Sequence, residues 1–165
     1  MRSVFTVAQN NIMIRKATPA DAQAIADLVR IGEREGQLLP RSIESIRASI
    51  DDWMIVENTH HIIGVGSLIE MNSALAEIRS LVVAPAYRQS GIGAQIVAAL
   101  LELARERNIP TVFALTRAVL FFEKLGFKIT DKENFPEKVW RDCSNCPVQF
   151  ACDEVAMVKS VDSQQ

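Results

Sequence analysis

Gly91 and Gly93 stand where an apolar run gives way to an amphipathic one. Leu81, Val82 and Val83 lead to Pro85, and a short polar turn through Arg88, Gln89 and Ser90 follows. Ile92, Ile96, Leu100 and Leu103 then recur at helical spacing. A strand, a glycine loop and a helix start therefore come in direct succession. Backbone N–H groups at a helix start lack intrahelical acceptors, and the aligned peptide dipoles add partial positive charge there. The arrangement suits a phosphate or pyrophosphate, with the glycines letting the ligand approach the main chain. The competing reading is a tight strand–helix turn that binds nothing. The pattern is not the dinucleotide fingerprint, which needs three glycines and an acidic residue about 20 positions on. Nor is it a P-loop, because no Lys-Ser/Thr pair follows the second glycine.

Other reactive side chains are few. Cys143-x-x-Cys146 has zinc-ligand spacing, and Cys152 could add a third ligand, with Asp153, Glu154 or a histidine completing the set. Reduced packing cysteines or a redox-sensitive pair are the alternatives, and a full tetrahedral set is not evident. His60 and His61 follow the turn-like Asn58-Thr59 and read as solvated. Trp53 and Trp140 read as packing residues.

These groups need a scaffold, and the chain can supply one. At 165 residues and 48% hydrophobic it is expected to form one core-bearing domain over residues 12–158, including a cysteine-bearing segment at 138–154, with tails at 1–11 and 159–165. A net charge of −2 without a long basic run argues against nucleic acid as the main partner. No stretch of about 18 apolar residues predicts a membrane span. The first residues lack a signal-peptide pattern, so the cytoplasm is the expected compartment. A homodimer is compatible with these features.

Strands are expected at residues 12–17, 53–57, 62–71, 75–83 and 111–115, with further strand-like pieces after Phe127. Thr18-Pro19-Ala20-Asp21 predicts a helix start, with Ile25, Leu28 and Val29 facing the core. Ser42 can cap a second helix bearing Ile43, Ile46 and Ile50. A third helix is expected over residues 91–107 and a short fourth over 118–125, stopped by Gly126. Consecutive strands argue against a doubly wound sheet and for a mixed α/β sheet with helices on both faces.

Arg88-x-x-Gly91-x-Gly93, preceded by Leu81-Val82-Val83-Ala84-Pro85 and Glu77, resembles the acyl-CoA-binding motif of the GNAT N-acetyltransferase superfamily. Ala118-Val119-Leu120-Phe121-Phe122-Glu123-Lys124-Leu125-Gly126-Phe127 resembles its other signature, a helix ending in a Lys-Leu-Gly-Phe turn beside the CoA thiol. The likeness spans roughly residues 12–158 and implies the GNAT fold, a mixed and mostly antiparallel sheet. Gly36-Gln37-Leu38-Leu39-Pro40-Arg41-Ser42, Phe113-Ala114-Leu115-Thr116 and Pro136-Glu137-Lys138-Val139-Trp140-Arg141-Asp142-Cys143 look like segments of N-acetylglutamate synthases, most of all the short stand-alone bacterial form. Larger relatives carry an amino-acid-kinase-like domain through which arginine acts. Any feedback by arginine here is expected to use the transferase domain itself.

The resemblance implies acetyl-CoA as co-substrate and L-glutamate as acceptor. Glu77 falls where many members carry the general base, commonly acting through water; the alternatives are a solvated strand residue or an ion-pair partner of Arg79. Leu81, Val82 and Val83 would offer main-chain groups at a bulge to the thioester and pantetheine. Arg88, Gln89, Ser90, Gly91, Ile92, Gly93 and Ala94 would surround the pyrophosphate. Many members have tyrosine at the position of Phe122, donating a proton to the departing sulfur. Phenylalanine cannot, so Phe122 is expected to pack against the acetyl or pantetheine region. Tyr87 belongs to the pyrophosphate side. A dicarboxylate acceptor needs cationic contacts, for which Arg41, Arg79 and Lys138 are the candidates. Another amine (glutamine, another amino acid, a polyamine or a protein N-terminus) or a non-catalytic acyl-CoA sensor are the competing functions.

Overall fold

The computed structural model describes residues 11–59, 61–135 and 153–161. In chain order it contains β1 (Met13–Lys16), a 3-10 turn (Pro19–Asp21), α1 (Ala22–Arg34), α2 (Ile43–Ala48), β2 (Trp53–Glu57), β3 (Ile62–Asn72) and β4 (Leu75–Val83). Then come α3 (Ile92–Glu106), β5 (Thr111–Thr116), α4 (Val119–Lys124), β6 (Lys128–Thr130) and β7 (Val155–Ser160). Among the described residues the strands form a seven-stranded sheet in the order β1-β2-β3-β4-β5-β7-β6. β4 and β5 run parallel, as the α3 crossover between them requires, while β1/β2, β2/β3, β5/β7 and β6/β7 are antiparallel. The expected mixed sheet flanked by helices is therefore the observed one. No described helix is long and apolar enough to cross a membrane.

The chain divides into two compact units through which β3 and β4 both run. One comprises the residues up to Leu68 together with Arg79–Leu100, and the other Ile69–Ile78 together with the residues from Leu101 onward. In the first, the predicted stripe of α1 is realised: Ile25, Leu28 and Val29 are buried with Ile46 of α2, Trp53 and Ile55 of β2, Val65 and Val82. The predicted cap of α2 also forms, with the Ser42 hydroxyl accepting from Ser45 N–H at 3.1 Å. α3 docks closely on β3 because β3 carries Gly64 and Gly66. A Cβ at these positions would lie 2.9 and 2.8 Å from side-chain carbons of Ile96. That close approach fixes where the first turns of α3 sit. The second unit is centred on Met71, Phe113, Phe135 and Ala156, with the Phe113 and Phe135 rings stacked 4.1 Å apart at 5°.

The entry to α1 departs in detail from the expected helix start. Thr18 and Asp21 form a capping box around the 3-10 turn, and the α-helix begins only at Ala22. The Asp21 carboxylate is also gripped by Arg15, at 2.9 and 3.1 Å, while Arg15 reaches Glu57 at 3.0 and 3.2 Å. The sequence gives no warning of this link from β1 to the α1 entry and the end of β2.

Hydrogen bonds from Arg15 hold the Asp21 carboxyl below its ordinary pKa; partial burial opposes the shift and the Thr18 N–H and hydroxyl reinforce it. Stability from this depression is present above the unfolded carboxyl's pKa of about 3.9 and is lost as pH falls through the lower folded value. Asp21→Asn is expected to cost about 1.5–3 kcal/mol at neutral pH. Urea denaturation should show the gap to wild type narrowing toward pH 3. A gap independent of pH would contradict the role given to Arg15.

Candidate functional site

Within the first unit, the decisive local event is at Ser80. This residue adopts φ +54 inside β4 and is buried. A left-handed residue in a strand turns the adjoining peptide groups out of the regular ladder, as a bulge does. Ser80 directly precedes Leu81, Val82 and Val83, where the resemblance implies a bulge. Ser67 of β3, itself buried, donates its hydroxyl to the Arg79 carbonyl at 3.2 Å and satisfies the oxygen on one side of the break. Downstream, Val82 is in the core, while Leu81 and Val83 are half-buried.

The loop after β4 is held from several sides. Ala84 N–H bonds to the Ile63 carbonyl at 2.8 Å, and the Pro85–Tyr87 turn follows. Asn58, from the β2–β3 turn, donates to the Tyr87 hydroxyl at 3.0 Å. Arg88 donates Nε to the Val83 carbonyl at 2.8 Å and its two Nη groups to the carboxylate of Glu35 at 3.1 and 2.9 Å. Gln89 (φ +63) and Gly91 (φ +87) are both left-handed, and they turn the chain into α3. Gln95 N–H bonds to the Gly91 carbonyl at 3.1 Å, so Gly91 is where the helical bonding starts. The amides of Ile92, Gly93 and Ala94 then belong to the first turn, which has no acceptor within the helix. Ser90 and Gln89 are exposed, whereas the Ile92 side chain is buried and offers a ligand only its main chain. This is an array of N–H groups at the positive end of a helix, suited to a diphosphate.

In the second unit, Glu77 is 2% exposed on β4, in register with Phe113 of parallel β5. Aligned residues of a parallel pair share a face, so the carboxylate lies on the side where Phe113 stacks on Phe135. A solvated strand residue is excluded; such burial of a carboxylate is rare and expensive and is concentrated at functional positions. Phe122 of α4 is buried between Phe121 and Phe127, with both ring pairs edge-to-face at 5.0 Å. Gly126 ends this helix at φ +93, and a Cβ there would lie 2.5 Å from the Lys159 ammonium nitrogen.

Arg41 is half-buried just before the Ser42 cap, and Arg79 is half-buried on β4. Lys138 lies outside the described residues, as do Cys143, Cys146 and Cys152 and the proposed zinc set with them. Sequence reasoning missed Ser67, Ser80, Glu35 and Asn58. A serine inside each of two apolar strands was a usable signal for the first two. Glu35, within the charged run Glu33-Arg34-Glu35, gave none.

Residues 24–127 match the model of the acetyltransferase (GNAT) family. An uncharacterized N-acetyltransferase of Chlorobaculum tepidum is 40% identical over 90% of this chain and 96% of its own length. An amino-acid acetyltransferase of Aeromonas salmonicida is 37% identical over 74% of this chain, but the match spans only 28% of that protein. The crystal structure of N-acetylglutamate synthase from Neisseria gonorrhoeae, complexed with coenzyme A and N-acetyl-glutamate, superposes with a TM-score of 0.80 at 27% identity. It covers 91% of this chain and 35% of that one.

The Ser80 break can be tested by stability alone. Ser80→Val places a β-branched residue at a left-handed φ and is expected to cost about 1–3 kcal/mol, whereas Ser80→Gly should stay within about 1 kcal/mol of wild type. Ser67→Ala, which removes the hydroxyl that donates to the Arg79 carbonyl, should cost about 1 kcal/mol. Equal urea midpoints for the valine and glycine variants would contradict the left-handed assignment.

Proposed function

This chain belongs to the acetyltransferase (GNAT) family, and from that premise we propose that it transfers the acetyl group of acetyl-CoA to the α-amine of L-glutamate. The observation that carries the reading is the succession along one stretch of chain of the buried carboxylate of Glu77, the left-handed Ser80 within β4 and the N–H-rich loop of residues 88–94. Support for the acceptor comes from the relative named as an amino-acid acetyltransferase and from the synthase complexed with N-acetyl-glutamate. On this reading the chain acts in the cytoplasm, at the entry to arginine biosynthesis.

The reaction is a direct attack in a ternary complex. The loop amides and the helix end hold the pyrophosphate, and main-chain groups of Leu81, Val82 and Val83 hold pantetheine and polarise the thioester carbonyl. An α-ammonium is mostly protonated at neutral pH, so Glu77, directly or through one water, takes a proton from it. The amine nitrogen bonds to the carbonyl carbon, the second amine proton passes to solvent as the tetrahedral intermediate collapses, and the C–S bond breaks with its electron pair going to sulfur. Phe122 has no hydroxyl to give. CoA therefore departs as a thiolate that solvent protonates, which is tolerable for a thiol with pKa near 8.5. Arg41, Arg79 and Lys138 pair with the two carboxylates of the acceptor.

Glu77→Gln keeps the shape of the side chain and removes its basicity, so kcat is expected to fall about 10²–10⁴-fold while CoA binding is little changed. Turnover within a few-fold of wild type would assign the proton to another group. Removing an arginine that faces a carboxylate should lower kcat/KM for glutamate about 10–150-fold. Glutamine should lose less when the arginine removed is the one facing the side-chain carboxylate. Measuring both amino acids with Arg41→Ala and Arg79→Ala separates the two contacts. Small, equal effects in all four combinations would exclude both arginines from the pocket.

A further inference from the structure

Arg88 occupies the motif position expected at the pyrophosphate, yet its guanidinium already has other work. Nε closes on the Val83 carbonyl at the end of β4, and Nη1 and Nη2 form a fork with the two oxygens of Glu35. Glu35 is a firm partner. It is the C-cap of α1, its own N–H bonds to the Ile31 carbonyl at 3.1 Å, and α1 is seated in the core through Ile25, Leu28 and Val29. The loop being held is one that needs holding. Gln89 and Gly91 sit at φ +63 and +87, and a non-glycine residue keeps such a conformation only when its surroundings impose it.

We propose that Glu35 is a positioning residue for the CoA loop, acting through Arg88, a role that rests on the reading of residues 88–94 as the pyrophosphate site. The pair is partly exposed, about 38–39% for each side chain, so its Coulomb energy is largely screened and its value is geometric. Three hydrogen bonds tie the loop to the end of β4 and to the end of α1. They fix the direction of the main-chain N–H groups before the ligand arrives, so less ordering is charged against binding. Arg88 thus shapes the anion site from behind instead of contacting the anion.

The opposite arrangement makes a different prediction. If Arg88 bound phosphate directly, Glu35 would compete for it, and removing Glu35 would tighten CoA binding. Two measurements on Glu35→Ala, Arg88→Ala, the double variant and Glu35→Gln distinguish the two. In the ligand-free protein, hydrogen exchange at the bonded amides of Ala84, Tyr87 and Arg88 should be faster in each alanine variant. In calorimetric titrations with CoA, each alanine single should bind about 3–10-fold more weakly, and the double variant no more weakly than Arg88→Ala. Glu35→Gln, which keeps one accepting oxygen, should fall between. The KM for acetyl-CoA should rise more than kcat falls. Tighter CoA binding by Glu35→Ala, additive losses in the double variant, or unchanged exchange would each overturn the proposal. A wild-type chain that binds no CoA would overturn the functional reading itself, a failure told apart because it shows in the unmodified protein.

Discussion

The left-handed backbone at Ser80 is the local constraint on the end of β4 that leads into the loop of residues 88–94. A serine at φ +54 inside a strand costs about 1–3 kcal/mol and survives only because its neighbours leave no alternative. Ser67 supplies the hydrogen bond that the Arg79 carbonyl takes, and Val82 is drawn into the core immediately beyond. Glu77 is buried before Ser80, and Leu81 and Val83 are half-buried after it.

The loop beyond β4 follows the same logic of paid-in-advance geometry. Its N–H array is fixed by the docking of α3 on Gly64 and Gly66, by the Asn58–Tyr87 contact and by the Arg88–Glu35 fork. Each contact is modest, and together they define the direction of the amides that a diphosphate would use. At Glu77, by contrast, the determining quantity is dryness. The residue is 2% exposed, on the face of the sheet where Phe113 stacks on Phe135.

Much of this was legible in residue order because periodicity and turn chemistry are local. The stripe Ile25, Leu28, Val29 and the Ser42 cap each follow from a few neighbouring side chains, and each is realised. Gly91 and Gly93 mark the helix start in the sequence, and Gly91 lies at φ +87 just before α3. What escaped depends on partners remote in sequence. Glu35 and Arg88 are 53 residues apart, and Arg15 and Glu57 are 42 apart. No pattern within either segment marks the other. The left-handed Ser80 escaped for a different reason, since serine has no intrinsic preference for that conformation and only the packing around β4 imposes it. The placement of β7 between β5 and β6 is likewise a tertiary choice.

The central claim, acetyl transfer to glutamate, is tested most directly by incubating the purified chain with acetyl-CoA and an equimolar mixture of glutamate, glutamine, aspartate, lysine and spermidine. Mass spectrometry identifies the acetylated products and thiol release follows the CoA. The account predicts stoichiometric CoA release with N-acetylglutamate as the dominant product, ahead of N-acetylglutamine. Dominant acetylation of spermidine or lysine, or retention of acetyl-CoA without any product, would contradict it.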